Sequence, residues 1–278
     1  MQNQIDIAAF GPEHLDGAVA LSRGEHWPHR HEDWMMLQHL SEGVVAVDAD
    51  GRVVGTTFMT PYGQDYAMIN LVIVDKAMRG LGLGRKLMEH AIALAGNRPQ
   101  RLTATQEGLP LYEKLGFVAT GTICQHQGKV QSIECPDGIE IMSGEDIDGL
   151  KALDREALSA DRSRLIDAII KCGEVAVARR DGKTEAWAAI RPFGRGEVIG
   201  PVIAKDFETA RSLIAYHASS RAGRFLRVDT GKETGLSAWL DAIGLPHGGG
   251  GVTMRRPLSN NLAHDGPKVF ALASQALG

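Results

Sequence analysis

The most constraining feature of the chain is a glycine-spaced turn that follows a continuously apolar stretch at residues 71–74. The turn reads Arg79-Gly80-Leu81-Gly82-Leu83-Gly84. The apolar stretch predicts a strand buried on both faces, and the residues after the turn predict an amphipathic helix. A helix that begins at such a turn has free backbone N–H groups and a partial positive charge, which together favour anion binding. The sequence therefore predicts a seat for a phosphate group.

Individual residues of the turn strengthen this prediction. The three glycines leave the backbone amides accessible because no Cβ atom stands over them. Arg79 places a guanidinium where it could order or neutralise the same anion. Taken alone, the pattern suits nucleotides and dinucleotides equally well, and the alternative interpretation is an ordinary loop with helix-capping glycines.

Composition limits the class of protein. With 278 residues, the chain is long enough for one large domain or two modest ones. Its net charge of −4 gives no basic footprint for nucleic acid or an anionic membrane surface. The three cysteines form no CxxC pair, and no signal-peptide pattern or membrane-spanning apolar stretch is present. We expect a cytoplasmic protein with neither nucleic acid nor membrane as partner; the sequence carries no signal for an oligomeric state.

The order of predicted strands and helices occurs twice along the chain. A second copy begins near residue 139, after a polar linker that contains Pro136-Asp137-Gly138. The simplest interpretation is two copies of one α/β fold in tandem. We expect a catalytic domain at residues 1–127, a linker at 128–138, a second domain at 139–257 and a tail at 258–278.

Two motifs, in order, resemble the GNAT superfamily of acyl-coenzyme A-dependent N-acetyltransferases. The family signature is Arg or Gln, two residues, Gly, one residue, then Gly or Ala, which the turn at 79–84 matches. The second marker is a short helix that leads into the last strands, matched by Leu111-Tyr112-Glu113-Lys114-Leu115-Gly116-Phe117. Together these motifs cover roughly the first 125 residues.

The resemblance implies a fold, a co-substrate and a site. Each half would be a GNAT-like domain with a mixed, mostly antiparallel sheet flanked by helices. Acetyl-CoA would be the acyl donor, without a metal, and Tyr112 would be the general acid for the coenzyme A thiolate. The implied cofactor-binding residues are Val72 and Val74, which pair with the pantetheine arm, and Arg79, Gly80, Leu81, Gly82, Leu83 and Gly84, whose amides cradle the pyrophosphate. The family's usual asparagine is replaced, in the region 105–107.

The predicted function is therefore transfer of an acetyl or short acyl group to an amine by direct attack. No covalent intermediate is required, which agrees with the lack of a Cys–His motif. The alternative is a non-catalytic protein that binds or senses acyl-CoA; thioester hydrolysis is a third possibility. The acceptor could be a small molecule or an amine of a peptide or protein.

The polar-aromatic segment at residues 25–34 is the candidate cover of the acceptor pocket. Trp27, His29, Asp33 and Trp34 would line or close that pocket. An amphipathic helix that packs both tryptophans on the core is an equally good interpretation. The three histidines of the segment lack a regular metal-ligand spacing, so a metal site is not predicted. Glu25, Glu32 and Asp33 are possible bases, and nothing in the sequence selects one.

The second half lacks both motifs. The segment 200–207 has no glycine turn, and Asp206 is typical of a helix N-cap. Leu240 stands where Tyr112 should recur. This half therefore resembles the degenerate C-terminal domain of tandem GNAT proteins. We expect it to shape the acceptor site, through Arg191 or Trp187, without binding a second cofactor.

Overall fold

The computed structural model describes residues 5–257 and 265–278, so part of the predicted tail, residues 258–264, lies outside the described residues. The first half contains β1 (Asp6–Ala9), α1 (Leu15–Gly24), α2 (His31–Leu40), β2 (Glu42–Val47), β3 (Val53–Tyr62), β4 (Tyr66–Val74), α3 (Leu83–Ala95), β5 (Gln100–Ala104), α4 (Leu109–Lys114) and β6 (Val118–Lys129).

The second half repeats this order. Its elements are β7 (Ile139–Ile141), α5 (Ile147–Leu158), α6 (Ser163–Cys172), β8 (Glu174–Arg180), β9 (Lys183–Phe193), β10 (Gly196–Ala204), α7 (Phe207–Ser219), β11 (Phe225–Gly231), α8 (Ser237–Ala242) and β12 (His247–Arg256), followed by β13 (Lys268–Ala271). Ten consecutive elements correspond one to one between the halves. The predicted α/β repeat is therefore confirmed.

All strands of the described residues join one mixed sheet, because the two halves exchange a strand. The order is β1-β2-β3-β4-β5-β12-β6-β11-β10-β9-β8-β7, with β13 beside β10. Strand β12 of the second half lies between β5 and β6, with Met254 opposite Leu102. Strand β6 of the first half lies between β12 and β11, with His126 opposite Val228. Each half therefore depends on a strand from the other.

Two parallel strand pairs interrupt the otherwise antiparallel sheet. In the first half, β4 and β5 pair only at Ala67 with Gln100 and at Met68 with Arg101. Beyond these residues the two strands diverge, and a cleft opens between them. In the second half, β10 and β11 pair at Glu197 with Leu226 and at Val198 with Arg227.

The corresponding gap of the second half is filled by the chain itself, which corrects the expectation of a tail at 258–278. Strand β13 pairs with β10, and Leu272 N–H donates to the Asp229 carbonyl of β11 at 2.8 Å. A Cβ atom at Gly200 of β10 would overlap the Leu272 carbonyl oxygen, so this position requires glycine. Residues 268–272 therefore occupy the space between β10 and β11.

A buried ion pair stabilises the contact between the halves. Asp154 and Arg162 are 0% and 2% exposed, and the carboxylate accepts from the guanidinium Nε at 3.0 Å and Nη2 at 2.6 Å. Burial lowers the pKa of Arg162, but the Asp154 charge outweighs it and raises that pKa above its ordinary value. The Arg162 guanidinium also lies 5.7 Å from the Tyr62 ring centroid of the first half.

Asp154→Asn is expected to lower the free energy of unfolding by about 3–5 kcal/mol, because it removes the carboxylate that pairs with the buried Arg162 guanidinium. Urea unfolding of the full chain measures this change. Glu208→Gln breaks an ion pair between exposed side chains, Arg211 and Glu208, and is the matched control. Its effect is expected below about 1 kcal/mol. Equal effects of the two variants would contradict a stabilising role for the buried pair.

Candidate active site

The glycine turn lies between β4 and α3, as the sequence predicted. Gly80 and Gly82 have φ angles of 77° and 79°, a left-handed conformation that favours glycine. A Cβ atom built on either residue meets nothing within 4 Å, so the space above the turn is open. Asp75 caps the preceding short turn, where its Oδ1 accepts from Ala77 N–H at 2.9 Å. The N-terminus of α3 thus faces free space.

Arg79 bridges two acidic residues across the mouth of this space. Its Nη2 lies 2.7 Å from Glu25 Oε2, and its Nη1 lies 3.2 Å from Glu107 Oε2. Its Nε also donates to the Val74 carbonyl at 3.3 Å. The guanidinium therefore holds three segments of the first half together, in addition to any contact with an anion.

A cavity of about 600 Å³ runs from the glycine turn into the divergence of β4 and β5; we call it the cleft. The predicted cofactor-binding residues that line it are Val72, Val74, Arg79, Gly80, Gly82, Leu83 and Gly84. Leu81 is not among its lining residues, and its side chain is 71% exposed. The predicted contact of Leu81 would therefore involve its backbone alone.

Tyr112 also lines the cleft, from helix α4. The residue is 8% exposed, and its ring centroid lies 6.2 Å from that of Phe117. Burial raises the pKa of Tyr112 to about 12. The phenol is therefore protonated at neutral pH. Thr105, in the region where the family's asparagine is missing, accepts from Gly108 N–H at 3.2 Å and so closes the turn that precedes α4.

A β-bulge in β4 faces the cleft, and no glycine or proline in the sequence marks it. Thr56 pairs with Ile73 and Phe58 with Asn70, so β4 has one extra residue opposite β3. Leu71 takes a φ of 47°, and its carbonyl accepts from Thr56 Oγ1 at 2.8 Å. The bulge removes the backbone at 71–72 from the regular ladder.

A second cavity, of about 360 Å³, adjoins the cleft; we call it the side cavity. Trp27, Ile69, Asn70, Leu71, Thr103 and Thr105 line both spaces. The remaining wall comes from both halves of the chain: His26, Pro28, His29, Gln125, Gln127, Phe193, Arg195, Arg227, Gly248, Gly250, Ser274, Gln275 and Ala276. The two cavities therefore meet at the bulge of β4.

The structure separates the four residues of the 25–34 segment that were predicted to contact the acceptor. Trp27 and His29 line the side cavity. Trp34 is 0% exposed, packs in the core against Phe58 and donates from Nε1 to Ser22 Oγ at 3.3 Å. The prediction that it lines the pocket is wrong, because the helix directs this tryptophan inward as the alternative interpretation required.

Asp33 does not line the side cavity either. Its carboxylate accepts from Arg30 Nη2 at 2.8 Å and from Gly194 N–H at 3.0 Å, so it joins α2 to the turn after β9. Burial raises its pKa, but these hydrogen bonds outweigh burial and hold the pKa below the ordinary value. Arg191 lies 4.0 Å from the same carboxylate and donates to the Ala273 carbonyl. Asp33 is therefore a structural residue.

His29 lines the side cavity and is uncharged at neutral pH. Burial lowers its pKa to about 4; Asp33 opposes this shift, and Arg227 and Arg191 add to it. Its Nδ1 atom is buried and has no hydrogen-bond partner among the described residues. The same is true of Asn70 Oδ1. Two buried polar atoms in this wall therefore lack a hydrogen-bond partner among the described residues.

The second half differs from the first at both motif positions. Helix α7 begins after Asp206, whose side chain accepts from Thr209 N–H at 2.8 Å. Trp187 is buried, and neither it nor Arg191 is among the lining residues of the side cavity. The second half instead contributes Phe193, Arg195, Arg227 and Gln275, which the sequence did not single out.

Across residues 5–257 and 265–278, no three His, Cys, Asp or Glu side chains form a group that could hold a metal ion. Among the helices of that part of the chain, none has the length and apolarity needed to cross a membrane.

Two family models match the chain, and both describe an acetyltransferase (GNAT) domain. One matches residues 41–119 and the other residues 150–271, so together they cover more than half of the chain. The uncharacterized N-acetyltransferase YitH of Bacillus subtilis is 28% identical over 285 residues, which covers 98% of each chain.

Solved structures share the fold over almost the whole chain. A Pyrococcus horikoshii protein provisionally assigned as an acetyltransferase has a TM-score of 0.82 at 19% identity, covering 100% of this chain and 97% of that one. A tandem GNAT protein from the clavulanic acid biosynthesis pathway has a TM-score of 0.63 at 13% identity, covering 92% and 100%. The chain belongs to the GNAT family of acyl-CoA-dependent N-acetyltransferases, with two GNAT domains in tandem.

Proposed function

We propose that the first half transfers an acetyl or short acyl group from acyl-CoA to an amine by direct attack on the thioester. The observation that carries this proposal is the junction of the two cavities at the bulge of β4. Asn70 and Leu71 line both the cleft and the side cavity. A donor in the cleft and an amine in the side cavity would therefore meet at this bulge.

The cleft suits the donor in shape and in polarity. The open space above Gly80 and Gly82 accommodates a pyrophosphate, and the start of α3 provides N–H donors and a favourable dipole. The divergence of β4 from β5 leaves the β4 edge near Val72 and Val74 without a neighbouring strand, so an extended pantetheine arm would pair there as an added strand does, in exchange for the bond that the Val74 carbonyl accepts from Arg79 Nε. When bound, acyl-CoA supplies the electrophilic thioester carbon.

Two groups of the chain serve the transfer itself. As the N–C bond forms and the C–S bond breaks, the backbone N–H groups of the bulge at 71–72 would donate to the carbonyl oxygen that gains charge. Tyr112, protonated at neutral pH, would give its proton to the departing sulfur.

The amine must lose a proton before or during attack, and no carboxylate of the 25–34 segment is free to take it. Glu25 is paired with Arg79, and Asp33 is paired with Arg30. Glu32 lines neither cavity. We therefore assign the proton to water in the side cavity, which His29 also lines.

Steady-state kinetics test the direct attack. If acyl-CoA and amine must both be bound before reaction, double-reciprocal plots at several fixed amine concentrations will intersect. Coenzyme A released and N-acylated amine formed will appear in equal amounts. Parallel lines, or an acyl-enzyme detected by mass spectrometry, would contradict the proposal.

The raised pKa of Tyr112 predicts how the rate depends on pH. The acid form of a phenol is lost as pH rises through its pKa, and here that pKa is about 12. With an amine at saturation, kcat is therefore expected to rise and then remain level to about pH 10.5, beyond the ordinary tyrosine pKa of about 10. A descending limb with a midpoint near pH 9–10, found at constant fold by circular dichroism, would argue against this role of Tyr112.

A further inference from the structure

The side cavity is lined by positive charge without a compensating carboxylate on its surface. Arg195 and Arg227 are among its lining residues, and no aspartate or glutamate of the described residues is. Three glutamines, at positions 125, 127 and 275, add uncharged hydrogen-bonding groups. An amine that enters as a simple cation meets like charge here.

The charges just outside the cavity do not reverse this balance. Asp229 is fully buried and accepts from Arg227 Nε at 2.9 Å. Asp33 lies between Arg30 and Arg191. Each carboxylate therefore already has an arginine partner, and positive charge remains in excess around the cavity.

A hydrogen-bond chain fixes the wall that carries Arg227. Gln275 Nε2 donates to Asp229 Oδ1 at 2.9 Å and to Gln125 Oε1 at 3.2 Å. Asp229 is thus held from both sides and in turn orients Arg227 through Nε. Phe193 lies against the same guanidinium, with its ring centroid 5.2 Å from Cζ. The charge is positioned by residues from β6, β9, β11 and the segment after β13.

The cavity has two chemically different ends. Asn70, whose Oδ1 has no partner among the described residues, borders the cleft as well as the side cavity. Arg195, Arg227 and Gln275 line the side cavity alone. The unsatisfied acceptor is therefore on the donor side, and the arginines are away from it.

We propose that the acceptor is a small primary amine that also carries an anionic group: a carboxylate, sulfonate or phosphate. This inference rests on the proposed function. The anionic group binds Arg227 and Arg195, and the amine lies beside the bulge of β4, where the side cavity meets the cleft. The cavity volume of about 360 Å³ falls in the range of small-molecule sites.

Matched pairs of amines test the proposal. With acetyl-CoA as donor, kcat/KM is compared for β-alanine against propylamine and for taurine and phosphoethanolamine against ethanolamine, with spermidine as a polycation. For at least one anionic amine, kcat/KM is expected to exceed that of its matched amine without an anionic group by about tenfold or more. The pair with the largest ratio identifies the preferred anionic group. Propylamine or spermidine performing as well as every anionic amine would overturn the proposal.

Arginine variants connect this preference to the cavity. Arg195→Gln removes an exposed guanidinium, so it tests the charge without loss of core packing. Arg227→Gln is examined beside it, because Arg227 also compensates buried Asp229. Both are expected to raise KM for the anionic amine several-fold and to lower the ratio of kcat/KM for the anionic amine to kcat/KM for propylamine. Arg211→Gln, on the surface of α7, is the control and should leave the kinetics of both amines unchanged. An equal loss for anionic and neutral amines in Arg195→Gln would contradict the proposal.

Binding of the reaction products tests this inference independently of the proposed function. N-acetyl-β-alanine and N-propylacetamide are titrated into the wild-type chain and into Arg195→Gln by calorimetry. Selective binding of the anionic product that is weakened in Arg195→Gln supports the assignment of the side cavity. If this is found while no amine is acetylated, only the proposed function fails. Equal binding of the two products, or no effect of the variant, overturns the cavity assignment.

Discussion

Tyr112→Phe is expected to lower kcat by on the order of 10²-fold or more while acetyl-CoA affinity stays within about twofold. The phenol is buried in the cleft and protonated at neutral pH, so the variant removes the proposed proton donor to the sulfur and little else. The ring contact with Phe117 is kept. The rate of coenzyme A release measures kcat, and calorimetric titration measures the affinity for acetyl-CoA.

Tyr216→Phe is the matched control for this variant. Tyr216 lies on α7 of the second half and lines neither cavity. It should retain wild-type kcat. If Tyr112→Phe also retains wild-type kcat at every pH, the sulfur leaves without help from Tyr112, and its assignment as general acid fails.

Gly82→Glu is expected to weaken acetyl-CoA binding by at least about 100-fold. The residue has a φ of 79° and open space above it, at the start of α3. The new side chain would fill the space assigned to the pyrophosphate, and its carboxylate would repel the phosphates. Calorimetry on the folded variant measures the loss.

Gly223→Glu separates this effect from backbone strain. Gly223 has a φ of 78°, and a Cβ atom there also meets nothing within 4 Å, but it lies in the second half before β11. Both variants carry the same strain, and only Gly82→Glu places a charge in the cleft. Comparable binding by the two variants would show that the donor binds somewhere other than the glycine turn.

Local patterns explain which parts of the fold could be predicted. The glycine turn, the strand before it and the helix of Tyr112 depend on residues close together in sequence, and the structure places them as expected. The exchange of β6 and β12 depends on pairing between residues more than a hundred positions apart, such as His126 and His247. No local signal encodes such a register, and the same holds for β13 beside β10.

In the candidate site, too, features encoded by residues close together in sequence could be predicted, and features that depend on distant residues could not. The residues proposed for its donor side could be identified because the turn and tyrosine motifs contain them. The residues proposed for its acceptor side could not, because Arg195, Arg227 and Gln275 come together only after the strand exchange. At Trp34 the local pattern was misleading. An aromatic residue in a polar segment suggested a side chain that lines a pocket, but the periodicity of the helix places Trp34 in the core.

The central claim is that a single site, with its donor cleft in the first half, joins an acyl donor to an amine. One assay tests it most directly: coenzyme A and N-acetylated amine are quantified by mass spectrometry in the same reaction of the wild-type chain, with Tyr112→Phe and Gly82→Glu in parallel. We predict equal amounts of both products, strongly reduced together in both variants. Thiol release without N-acetylated amine, or acetyl-CoA binding without either product across the amine panel, would contradict the claim and favour hydrolysis or sensing.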